Sequence, residues 1–266
     1  MEALFRALLD EAILHTNTRK QFGQKLSSFC LVRHKLAKMA GKLYCLESMV
    51  YLTAGLADVS CNPDVELESV IVKQFAAETS DYIVSGCLEL FGAQACLETS
   101  KYQQYLRNNQ VLQGWQGSAN INKCFVGVSG LMHLVSNQPG IGDLRQPANG
   151  NMIKSFKHSV KKHNHYKGRV SLSLQLDDCV FPGLQESARR MEWCVHKLHF
   201  VAQELLIMRG ANIQVDEVML ERLSDMATEI YMMACIISRA SRSISLGFKD
   251  LEVEGTLLVP LVFESK

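Results

Sequence analysis

Three short stretches hold the side chains best suited to binding and proton transfer. Arg19-Lys20-Gln21-Phe22-Gly23 joins a guanidinium, which suits a pyrophosphate, to an aromatic ring able to cover apolar ring surface. Leu90-Phe91-Gly92-Ala93-Gln94-Ala95 has one glycine, which lets backbone approach a ligand closely, then two alanines whose methyl groups are expected on that approach surface. Arg107-Asn108-Asn109-Gln110 leads through Gly114 into Trp115-Gln116-Gly117-Ser118-Ala119-Asn120-Ile121. A carboxylate at position 116 would accept and carry a proton at neutral pH; the carboxamide of Gln116 does not. Read alone, the first stretch also fits a corner between helices with Arg19 in solvent, and the second fits an ordinary helix end.

Other candidates are weaker. His163-Asn164-His165 among lysines lacks a nearby carboxylate or thiol and reads as a solvated loop, so no metal site is expected. Val128-Ser129-Gly130 lacks the strand and first glycine of a hydrolase elbow, and there is no G-x-x-x-x-G-K-S phosphate loop.

The elements that carry these stretches are helical. Leu36, Met39, Leu43, Leu46 and Val50 follow 3–4 spacing, as do Leu198, Val201, Leu205 and Met208, and Leu220, Leu223, Ala227, Ile230, Ala234 and Ile237. Each series makes one apolar stripe that must pack on another helix. Helices are expected near 2–16, 29–59, 65–91, 98–109, 118–136, 184–209 and 215–246. Gly210 reads as a helix stop, and Pro182-Gly183 as a break before a start. Met226 to Met233 reads as core filling. The fold class is therefore all-α.

Residues 137–182 lose the period. They hold Asn137-Gln138-Pro139-Gly140, Pro147-Ala148-Asn149-Gly150, and six basic residues with no acid from Lys154 to Arg169. This reads as a mobile basic linker between a helical bundle at 1–136 and a second helical domain at 183–266. Val170-Ser171-Leu172-Ser173-Leu174 alternates as a strand would, without a partner strand.

Net charge is +1 and hydrophobic residues make up 47%, which favours a buried core over bulk nucleic-acid binding. The nine cysteines include no C-x-x-C pair and lie in apolar stretches, so they read as buried thiols of a reducing compartment. No run approaches the ~18 apolar residues a membrane span requires. Met1-Glu2-Ala3-Leu4-Phe5-Arg6 resembles the middle of a helix, so the chain reads as part of a longer product.

Taken together, R-x-Q-F-G at Arg19, the following Leu26, Phe29 and Leu36-Ala37-Lys38-Met39, and the Arg107 to Ile121 string resemble the C-terminal half of the acyl-CoA dehydrogenase family. Ser238-Arg239-Ala240-Ser241-Arg242-Ser243 resembles the extra helical domain of its very-long-chain and complex I assembly factor subfamily. The resemblance covers about residues 3–136 and 183–250. It implies a flavin adenine dinucleotide (FAD) cofactor reached by Arg19, Gln21, Phe22, Gly92, Ala93, Ser118 and Asn120. It also implies a homodimer, acyl-CoA as substrate, and a mitochondrial matrix or inner-membrane setting. In the family an aromatic-E-G-T segment supplies the base that removes the α-proton of the acyl thioester. Here Gln116 stands at the glutamate position, Gly117 is kept, Ser118 replaces threonine, Asn108 and Gln110 replace an acid and an arginine, and of the glycines the family has in the Leu90 to Ala95 string only Gly92 remains.

This coordinated change implies a catalytically impaired relative that works by binding, with a respiratory-chain assembly factor or the inner membrane as partner. Two rivals stay open. One is an active flavin dehydrogenase whose base comes from an upstream helix. The other is a helical adaptor whose basic linker meets anionic lipid.

Overall fold

The computed structural model describes residues 2–59, 63–137 and 174–247. The basic stretch 154–169, His163 and His165, residues 170–173 and the tail beyond 247 lie outside the described residues.

Among the described residues the fold is all-α apart from one small hairpin. The helices are α1 (Glu2–Thr18), α2 (Cys30–Val59), α3 (Glu66–Phe91), α4 (Lys101–Gly114), α5 (Ala119–Asn137), α6 (Gln185–Arg209) and α7 (Glu217–Ser245). They match the periodicity, with α4 running five residues past its expected end. Between α1 and α2, β1 (Lys20–Gln21) pairs antiparallel with β2 (Gln24–Lys25). No helix of the described residues is long and apolar enough to cross a membrane.

The chain forms two compact units, one running to Asn122 and one starting at Lys123, within α5. In the first unit α1, α2 and α3 pack on one another. Phe5, Leu8 and Ala12 from α1, Met39 and Met49 from α2, and Ile83, Val84 and Cys87 from α3 are fully buried. These side chains follow the 3–4 stripes, and burying each large one contributes about 1.5–3 kcal/mol. Arg6 pairs with the buried Glu47, tying α1 to α2. Phe91 of α3 stacks on Tyr102 of α4 with ring centroids 3.9 Å apart. Lys101 meets Glu11 at 2.8 Å, tying α4 to α1. Ser100 caps α4, its hydroxyl accepting the Tyr102 N–H at 3.3 Å.

In the second unit Leu131, Ile213, Leu220 and Leu223 form a core against Leu198, Val201 and Leu205. Asp216 caps α7 by accepting the Met219 N–H at 3.4 Å. Gly210 ends α6 with a positive φ of 58°, the helix stop expected of it. Glu192 is fully buried on α6 and accepts the Leu174 N–H at 2.7 Å.

Two expectations need correction. The thiols are not uniformly buried: Cys45, Cys87 and Cys235 are, whereas Cys30, Cys96 and Cys179 are exposed, because those three sit at helix ends and in short turns. Met226 is partly exposed, and only Met232 and Met233 of that run lie in the core.

Candidate functional site

Arg19, Gln21 and Phe22 sit on the hairpin, all exposed. Phe22 and Gly23 both have positive φ, 52° and 80°, the pattern of a two-residue turn that matches strand twist. For phenylalanine this conformation is strained by roughly 1–3 kcal/mol, and strained residues concentrate at functional sites. The turn leaves the Phe22 ring 93% exposed, edge-on to Phe29 with ring centroids 6.3 Å apart. The sequence, read alone, also fitted a plain corner between helices and gave no sign of the hairpin, because two-residue strands carry no periodic signal.

Gly92 ends α3 with φ 71° and ψ −154°, a conformation essentially reserved for glycine. A Cβ built there would meet nothing within 4 Å, so the backbone faces open space. Ala93 is exposed, as expected, but Ala95 is 2% exposed. Its methyl faces the core, which corrects the reading that both alanines crowd the approach surface.

One residue joins these two segments. The His15 ring lies edge-on to Phe91, with centroids 5.2 Å apart. Burial, and then the positive charge of Arg19, push the His15 imidazole below its usual titration range. His15 stands four residues before Arg19 on α1, so helical spacing alone was enough to nominate it.

Gln116 and Ser118 lie on the turn from α4 to α5 and Asn120 in the first turn of α5, all exposed. Gln116 has φ 60° and Gly117 has φ 96°, two consecutive left-handed residues. The turn is held from both sides. On the α4 side, the Lys73 amine donates to the carbonyls of Leu112 at 2.8 Å and Gln113 at 3.4 Å. These are carbonyls of the last turn of α4, where a cation is favoured. Burial pushes the Lys73 amine below its usual range. The Gln113 carboxamide donates to Asp81 at 3.0 Å. On the α5 side, a Cβ at Gly117 would lie 2.9 Å from the buried Asn122 Oδ1. Lys73, Asp81 and Asn122 were not found from sequence, since the first two lie more than thirty residues from the turn they hold. Arg107 is exposed, and Asn109 beside it is fully buried. Neither polar atom of the Asn109 carboxamide has a hydrogen-bond partner among the described residues.

The arrangement presents a carboxamide, not a carboxylate, on a strained and braced turn. Gln116 can donate and accept hydrogen bonds but cannot carry off a carbon-bound proton. Among the described residues no three His, Cys, Asp or Glu side chains converge to hold a metal ion.

Comparison with known proteins agrees with this architecture. A family model described as acyl-CoA dehydrogenase, C-terminal domain, matches residues 2–129, and one described as ACAD9/ACADV, C-terminal domain, matches residues 182–265. The chain belongs to the acyl-CoA dehydrogenase family. Within the family, very long-chain specific acyl-CoA dehydrogenase of Rattus norvegicus is 27% identical over 252 residues, which is 95% of this chain and 38% of that protein. The Homo sapiens counterpart is 28% identical over the same spans. The chain thus covers well under half the length of these relatives. An acyl-CoA dehydrogenase from Bacillus anthracis, solved in complex with FAD, superposes with a TM-score of 0.75 at 18% identity, over 99% of this chain and 44% of that one. That likeness shows the shared fold.

Proposed function

We propose that this chain is the C-terminal part of a mitochondrial acyl-CoA dehydrogenase relative that has lost its proton-abstracting base and works by binding. The observation that carries the reading is Gln116. It occupies the family's glutamate position, at the tip of a turn held by Lys73 and by the fit of Gly117 against Asn122. The scaffold for a base is kept while the base is an amide, and loss of a general base typically costs roughly 10²–10⁴-fold in rate.

The residues assigned to FAD support binding in part. Arg19, Gln21 and Phe22 are exposed on a strained hairpin, and the backbone at Gly92 is open, as close approach to a diphosphate needs. The exposed Ala93 methyl narrows that approach. When bound, FAD supplies hydride acceptance; the chain's own part is to hold it through Arg19, Phe22 and the Gly92 backbone, with Ser118 and Asn120 beside Gln116. Acyl-CoA is then a ligand rather than a substrate. The relatives' mitochondrial setting, a homodimer and a respiratory-chain assembly partner complete the proposal.

The test is a dehydrogenase assay on protein purified from its native cell. We expect no reduction of an electron acceptor with palmitoyl-CoA, and saturable palmitoyl-CoA binding by calorimetry. Turnover would overturn the reading and favour the rival in which an upstream helix provides the base.

A further inference from the structure

A cavity of about 350 Å³ lies within the second unit, between α5, α6 and α7. Its wall is aliphatic, with Leu131 and Leu134 from α5, Val195 and Leu198 from α6, and Leu223 from α7. The space opens to solvent on one side, and ligand pockets, clefts included, begin at roughly 300 Å³. A space of this size lined by branched aliphatic side chains therefore calls for an apolar guest.

Two glycines of α5 line it, for different reasons. A Cβ at Gly127 would come within 2.8 Å of the Leu220 carbonyl oxygen, so close helix approach demands glycine there. A Cβ at Gly130 would meet nothing within 4 Å. Packing does not require glycine at 130, and a helix interior disfavours it. Its effect is to leave the cavity open.

Three polar residues line it, His133, Asn137 and His199; His199 is half-buried with its Nε2 2.9 Å from the Gln203 carboxamide nitrogen, whereas His133 stands at the rim. His133 is exposed, and its Nε2 lies 2.8 Å from the Asn137 carboxamide nitrogen. A carboxamide nitrogen donates, so Nε2 is engaged with Asn137 and Nδ1 is the ring nitrogen left to donate to a ligand. The site therefore combines an aliphatic chamber with an imidazole N–H at its edge.

We propose that this cavity binds the alkyl tail of a single-chain amphiphile whose carboxylate head takes a hydrogen bond from His133. The site shares no residue with the Gln116 turn and does not depend on the function proposed for that turn.

The test is calorimetric titration of the full chain with decanoate and with decanol. Decanoate is expected to bind at about micromolar affinity. Gly130→Leu fills the chamber and weakens both ligands by about tenfold or more, while the melting temperature holds or rises because a helical glycine is removed. His133→Phe weakens decanoate by about tenfold and leaves decanol within about twofold. Gln116→Ala changes neither, which separates this site from the turn. The proposal is overturned if decanoate does not bind, if Gly130→Leu binds as the unaltered chain does, if His133→Phe leaves decanoate affinity unchanged, or if Gln116→Ala abolishes binding.

Discussion

The amine of Lys73 lies 2.8 Å from the carbonyl oxygen of Leu112, two helices joined by one charge at the point where α4 gives way to the Gln116 turn. The contact supplies a donor to carbonyls that have no partner within their own helix. It fixes where the helix stops, and so where residue 116 stands.

Lys73→Met keeps the aliphatic stem and removes the donor. A hydrogen bond from a charged group is worth about 1.5–3 kcal/mol, and partial exposure reduces this, so we expect a loss of about 1–2 kcal/mol in urea unfolding. Amide exchange at Trp115 to Ser118 should quicken by more than the global loss accounts for. Uniform acceleration throughout the first unit would mean that Lys73 does not brace the turn.

Gly117→Ala tests the other brace. Alanine at φ 96° is strained by about 1–2 kcal/mol, and its methyl would press on Asn122 Oδ1 at 2.9 Å. A melting-temperature drop of several degrees is expected, with Gly117→Asn falling less because asparagine tolerates left-handed backbone. Equal melting temperatures for Gly117→Ala and the unaltered chain would rule out the turn geometry described.

Much of this architecture was readable from the residues, and the reasons differ by element. The helices declared themselves because Leu36, Met39, Leu43 and Leu46 repeat at helical spacing over a long run. Gln116 stood out because a resemblance supplied the residue type expected there. Lys73 and Asn122 stayed hidden because what they brace is a backbone path, and a lysine on a helix face reads as a solvated charge until its neighbour is known. Phe22 was nominated for its ring, while the hairpin that presents it rests on two residues per strand. The cysteines misled because an apolar neighbourhood in sequence does not fix which face of a helix a side chain occupies.

His15 makes stability depend on pH. Its folded-state titration lies below the usual imidazole value, so the unfolded chain binds the proton more readily. Stability from this group is present above about pH 6.5 and is lost as pH falls through the lowered folded value. His15→Phe should flatten that part of the stability profile. Arg19→Gln should shift it towards lower stability loss, since the arginine charge is the second cause of the depression after burial. Urea midpoints between pH 4.5 and 7.5 measure this, and parallel profiles for His15→Phe and the unaltered chain would exclude His15 as the source.

Glu192 holds residues 174–176 against α6. It is fully buried, and its two carboxylate oxygens accept the Leu174 N–H at 2.7 Å and the Leu176 N–H at 3.5 Å. The positive φ of Gln175, 50°, lets the N–H groups on either side of it, those of Leu174 and Leu176, reach one carboxylate. Arg189 adds a bond to Asp177 at 2.8 Å on the same segment. Glu192→Ala strands both backbone donors and removes a charge-assisted acceptor, with an expected cost of about 2–3 kcal/mol. Glu192→Gln keeps one acceptor oxygen but sets a carboxamide NH2 against one of the donors, so its loss should be intermediate. Chymotrypsin should cut Glu192→Ala faster after Leu174 and Leu176 than it cuts the unaltered chain, while Arg189→Ala, which leaves the carboxylate in place, should change cleavage little. If Arg189→Ala exposes the segment as much as Glu192→Ala does, the surface ion pair and not the buried carboxylate is what anchors it.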